Sequence, residues 1–125
     1  MYRFEIDDAG VLKVETSGFW DVPTARGYLS EMKRYLTNVR DRWGYSLVLV
    51  DGRESQIQPK EVMDEFENLE SLLISTRGDR AAYIVANSLA KMQAQRLTAS
   101  ERLKVFLSPT AARTWLTAYE VGDRR

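Results

Sequence analysis

Ser46-Leu47-Val48-Leu49-Val50-Asp51-Gly52-Arg53 is the stretch that decides the fold. Its run of apolar residues, β-branched at 48 and 50, leaves no side for water, so it reads as a strand buried on both faces of a parallel sheet covered by helices. Asp51-Gly52 then turns the chain out of the strand, leaving 51–55 as a loop. Upstream, Asp21-Val22-Pro23-Thr24 offers a capping carboxylate and an early proline, and Leu29, Met32, Leu36 and Val39 follow at helical spacing. Before that, Tyr2–Ile6 and Val11–Thr16 alternate polar and apolar around Asp8-Ala9-Gly10, which predicts an antiparallel hairpin.

Downstream, Pro59 opens a second helix with Val62, Phe66, Leu69 and Leu73 on its inner side and acidic residues outside. Arg77-Gly78-Asp79-Arg80 ends it, and Ala81–Ala86 reads as another buried strand. Asn87-Ser88 caps a third helix carrying Leu89, Met92 and Leu97. Leu103–Leu107 is a last strand, and Ser108-Pro109-Thr110 caps a last helix with Ala112, Trp115, Leu116 and Tyr119 inward. The order is β-β-α-β-α-β-α-β-α. It predicts one α/β domain over residues 1–125, with helices on a small mixed sheet that is parallel except for its first strand.

The chain has 18 basic and 18 acidic residues, so no global field draws it onto nucleic acid or an anionic surface. Charge is nonetheless uneven. Residues 60–70 hold Glu61, Asp64, Glu65, Glu67 and Glu70 against Lys60 alone, whereas residues 80–125 hold eight basic against three acidic residues. Glu61, Asp64 and Glu65 share one helix face, which reads as a solvated acidic face rather than a metal cage. No metal or other cofactor is expected. With no Cys and no His, the chain has no disulfide, no thiolate nucleophile, no Cys/His zinc site and no imidazole base of its own. The glycines form no phosphate loop. The N-terminus lacks the apolar core of a secretory signal and no apolar run spans a bilayer, so the expected location is the cytoplasm.

Ligands of an open α/β sheet meet the loops at the carboxyl ends of its parallel strands. Three such loops supply the candidate binding residues: Asp51, Arg53 and Ser55 after the third strand, Asn87 and Ser88 after the fourth, and Ser108 after the fifth. Asp51 and Arg53 can form a fixed pair or present one charge to a ligand. The polar side chains of the other two loops also suit the capping of their own helices. Trp20 and Trp43 fall in connections, which predicts partial exposure and a part in an interface. No catalytic residue emerges.

Together, the element order, Leu49-Val50-Asp51-Gly52-Arg53 and the closing stretch from Val105 to Leu116 resemble the SpoIIAA-like group of STAS-type domains, over nearly the whole chain. The resemblance implies a right-handed β/α superhelix. It also implies the role of better-known members, anti-sigma-factor antagonists that bind a kinase-like partner at the start of the second helix and are switched by phosphorylation of a serine in an Asp-Ser-Ser-Gly type motif. Here that stretch is Arg53-Glu54-Ser55-Gln56-Ile57-Gln58-Pro59, in which Ser55 is the only hydroxyl and no glycine follows. A phosphate on Ser55 would lie near Arg53 but also near Asp51 and Glu54. The expected function is a non-enzymatic protein-interaction or regulatory module, with a protein partner or self-association. The alternative is a domain for a small apolar ligand or lipid, since divergent relatives of the fold resemble lipid-binding domains; a small anion at a helix start is a further candidate ligand.

Overall fold

A computed structural model describes residues 1–96, 98 and 100–118. The chain runs β1 (Tyr2–Ile6), β2 (Val11–Gly18), α1 (Val22–Trp43), β3 (Leu47–Ser55), α2 (Lys60–Glu65), α3 (Leu69–Leu73), β4 (Arg80–Ile84), α4 (Ser88–Gln95), β5 (Leu103–Phe106) and α5 (Pro109–Ala118). The five strands lie side by side in sequence order. β1 is antiparallel to β2, and β2 through β5 are parallel, as the alternation of patterns predicts. Asp21 caps α1 by accepting from the Thr24 amide at 2.8 Å. Gly44, left-handed at φ 91°, ends that helix.

The alternation of side chains along β2 and β3 divides the interior in two. Leu12, Val14, Val48 and Val50 point to one face and pack under α1, α2 and α3 with Met32, Leu36, Val39, Val62 and Leu73. An aromatic cluster closes this core: Trp20 meets Tyr2, Tyr28 and Phe66 edge-on, while Phe4 stacks on Tyr35 at 4.9 Å. Val11, Leu47, Leu49, Ala82 and Ile84 point to the other face and meet Ala112 and Leu116 of α5. Beyond the reach of α5, that face carries exposed charges on β1 and β2: Arg3, Glu5, Lys13 and Glu15.

At the amino ends of the parallel strands the chain is fastened by Asp79, fully buried just before β4. Its carboxylate accepts from the amides of Ser46 (2.8 Å), Ser75 (3.0 Å) and Thr76 (2.7 Å), from the Thr76 hydroxyl (2.6 Å) and from Arg40 Nη2 (2.9 Å). Burial alone would raise its pKa; the Thr76 hydroxyl and the three amides outweigh burial and hold it below the ordinary carboxylate range. One carboxylate thus joins the end of α1, the start of β3 and the turn before β4.

Six sequence expectations need correction. The second helix is broken into α2 and α3, although Val62, Phe66, Leu69 and Leu73 keep their inward spacing. Glu61, Asp64, Glu65, Glu67 and Glu70 repel at i, i+3 and i+4, and Asn68 is a weak helix former at the break. β3 does not stop at Asp51 but runs to Ser55, because its pairing with β2 resumes after an irregularity, at Ser17↔Glu54 and Gly18↔Ser55. Leu89 and Met92 are exposed, and α4 buries no residue. β4 ends at Ile84 and β5 at Phe106, leaving Val85, Ala86 and Leu107 outside the strands expected to hold them. Trp20 is buried rather than exposed, enclosed by aromatics from β1, α1 and the segment after α2, with its indole N–H on the Ser17 carbonyl at 2.9 Å. Trp43 is partly buried, its ring against the backbone of Gly10. Leu97 and Tyr119, expected inward, lie outside the described residues.

Candidate functional site

The carboxyl ends of β2, β3, β4 and β5 lie along one edge of the sheet, since these strands are parallel neighbours. Asp51 and Arg53 sit there, on the sheet face opposite α1, and they form the fixed pair. Arg53 Nε donates to Asp51 Oδ1 at 2.9 Å and Nη2 to Oδ2 at 2.7 Å, a two-pronged contact that the Arg53 amide extends at 3.2 Å. The arginine hydrogen bond outweighs the opposing effect of burial and lowers the Asp51 pKa. It raises that of Arg53 in turn. Both groups stay ionised around neutrality, which makes the pair a poor proton donor.

Beside it in register stands Glu15 of β2, itself held by Arg3 at 2.8 Å. The two carboxylates are therefore neighbours that would repel, each neutralised by its own arginine. An open groove of about 340 Å³ runs over this surface, lined by Arg3, Glu15, Thr16, Asp51 and Glu54 among others. Gly52 lies in the irregularity that follows Asp51, where β3 spends one residue more than β2 between the Glu15↔Asp51 and Ser17↔Glu54 pairs.

Ser55 ends β3 and shares a 2.7 Å hydrogen bond with the Thr16 hydroxyl. It does not stand at a helix start, because α2 begins only at Lys60 after Pro59 and has no side-chain cap. Asn87 accepts from the Ala90 amide at 2.9 Å and Ser108 from the Ala111 amide at 3.2 Å, so both cap their own helices; Ser88 is the first residue of α4. All six residues share one edge of the sheet, but only Asp51 and Arg53 bond to each other. Of the acidic helix face, Asp64 pairs with Lys60 and Glu65 with Arg26.

The sequence reading missed what stands out most along this edge. A large apolar side chain is exposed just after each parallel strand: Phe19 after β2 (68 % exposed), Ile57 after β3 (79 %), Leu89 in the first turn of α4 after β4 (62 %) and Leu107 after β5 (44 %). The first two loops are clamped by Gln58, which accepts from the Trp20 amide at 2.7 Å and donates to the Gly18 carbonyl at 2.9 Å. Nothing in the hydropathy of Phe19 or Ile57 marks them as exposed; only their place between a strand end and a helix start could have drawn notice.

A solved structure shares this architecture over 92 % of this chain and 93 % of its own, with a TM-score of 0.64 and 19 % sequence identity: an uncharacterized protein of the DUF3478 family, with a SpoIIAA-like fold, from Shewanella loihica PV-4. The fold is SpoIIAA-like. At that identity the SpoIIAA-like neighbour speaks to architecture alone. No family model matches the chain. No curated protein matches it either. Among the described residues of this SpoIIAA-like chain, no helix is long and apolar enough to cross a membrane.

Proposed function

We propose that this chain is a non-enzymatic module that binds a protein partner along the carboxyl-end edge of its sheet. The observation that carries this reading is the row of Phe19, Ile57, Leu89 and Leu107, one exposed just after each parallel strand. Single exposed apolar residues are ordinary, but four gathered on one edge cost hydration that a partner would relieve. Polar groups stand among them: the fixed Asp51–Arg53 pair, Glu54, Gln58 and Asn87. Apolar anchors within a mixed polar rim are the make-up of a protein interface, and Glu54 and Asp21 disfavour an anionic lipid surface. Binding rather than catalysis suits a chain without His or Cys whose Asp51 is locked in its charged form.

Because the chain lacks cysteine, one introduced thiol is a unique handle. A photo-crosslinker on Gln56→Cys, exposed beside Ile57, should capture a discrete protein in extracts of the source cells, whereas the same group on Asn38→Cys, exposed on α1, should not. Equal capture from both positions would sink the reading. Native mass spectrometry of the isolated protein separates the alternative, a retained small apolar molecule, by its mass.

A further inference from the structure

We propose that the chain also pairs with a second copy of itself, along the outer edge of β1, to form one sheet continuous across both copies. This edge adjoins the groove at Arg3 but uses none of Phe19, Ile57, Leu89 and Leu107, so either proposal can fail alone.

Sheet order leaves β1 with β2 on one side and, among the described residues, no strand on the other. The Ser17 amide donates to the Met1 carbonyl at 2.8 Å and the Asp7 amide to the Val11 carbonyl at 3.0 Å. With the register Tyr2↔Thr16 to Ile6↔Leu12 and the alternation of an antiparallel ladder, the odd-numbered residues of β1 bond to β2. The N–H and C=O groups of Tyr2, Phe4 and Ile6 therefore face the open edge, ready to template another strand.

The side chains specify which strand fits. Tyr2, Phe4 and Ile6 pack toward α1, while Arg3 and Glu5 stand exposed on the other face. A second copy, antiparallel and related by a two-fold axis through Phe4, places Phe4 opposite Phe4, Tyr2 opposite Ile6 and Arg3 opposite Glu5. Each outward N–H then meets an outward C=O. Arg3 and Glu5 fall at the non-hydrogen-bonded sites, where opposed residues come closest, with Cα atoms about 4.5 Å apart. The neighbouring registers that keep the hydrogen bonds set Arg3 against Arg3 or Glu5 against Glu5. Charge thus selects one alignment.

The match continues inward. Arg3 already contacts Glu15, and Glu5 faces Lys13 in register. Across the joined sheets the row reads Glu15, Arg3, then Glu5 and Lys13 of the second copy, alternating in sign throughout. An edge strand carrying one sign of charge would repel its own kind; this one is self-complementary, as a two-fold interface requires.

Light scattering on the full chain across a hundredfold range of concentration should show a monomer converting to a dimer. Glu5→Arg alone and Arg3→Glu alone should each abolish the dimer while circular dichroism shows the fold retained. Mixing the two variants should restore it, because one copy then carries two acidic and the other two basic side chains. Should a variant fail to fold, amide hydrogen exchange in the unaltered protein decides: the amides of Tyr2, Phe4 and Ile6 should exchange at least tenfold more slowly at high concentration than at low. A chain monomeric at every concentration, a dimer that survives both single variants, folded variants that do not complement, or edge amides indifferent to concentration would each overturn the proposal.

Discussion

The two ends of the parallel strands are built on opposite terms. At the amino end, the chain is cross-tied by a buried carboxylate with five donors, and the hairpin turn is bound to α5 by Asp7 and Arg113 at 2.8 Å. At the carboxyl end, α4 buries nothing, the Asp51–Arg53 pair is part-exposed, and four apolar side chains face water. Stability is concentrated at one end and left loose at the other. That leaves the second end free to change its loops, the usual arrangement where a scaffold carries a binding surface.

Removing Asp79 is the strongest test of that contrast. Asp79→Ala takes the acceptor from three amides and leaves the Arg40 charge with only the Leu72 and Leu73 carbonyls, and breaking such a pair from one side costs about 3–5 kcal/mol, to be read by chemical denaturation. The same group sets an acid limit. Its folded-state pKa lies below the ordinary 3.8, so its contribution is complete above that value and is lost as pH falls through the depressed one. Unfolding curves collected from neutral to strongly acidic pH should therefore bend below about pH 4, and Asp79→Asn should flatten that bend.

Gly10→Ala tests a second tie at the amino end. Gly10 holds φ at 81°, and a side chain there would lie 2.6 Å from the Trp43 ring. Backbone strain of this kind costs about 1–3 kcal/mol and should lower the melting temperature by several degrees. At the carboxyl end, Arg53→Ala should cost less than about 1 kcal/mol, the range of part-exposed ion pairs. Smallest of all, Ile57→Ser should change stability by no more than about 0.5 kcal/mol while abolishing partner capture. A large loss of stability from either carboxyl-end substitution would erase the contrast between the two ends.

The strand and helix order was legible because alternation and capping are local. Asp21, Asn87 and Ser108 cap the helices that their sequence positions indicate. Asp79 was not legible: its turn shows in Gly78-Asp79, but its partners Arg40 and Ser46 lie 39 and 33 residues away. Trp20 misled for the same reason, since the rings that bury it come from distant segments. Of the site, the Asp51–Arg53 pair could be read from a two-residue spacing. The row of Phe19, Ile57, Leu89 and Leu107 could not, because exposure of an apolar side chain depends on what fails to cover it.

The order β1-β2-β3-β4-β5 also has a kinetic side. In sheets whose strands interleave, an early strand must wait unpaired for a late one to slot beside it. Here each new strand finds its neighbour already laid down, and the loops to be closed are only as long as one or two helices and their connections. The sheet can grow by accretion as the chain leaves the ribosome, with Asp79 locking the fourth strand to the third on arrival.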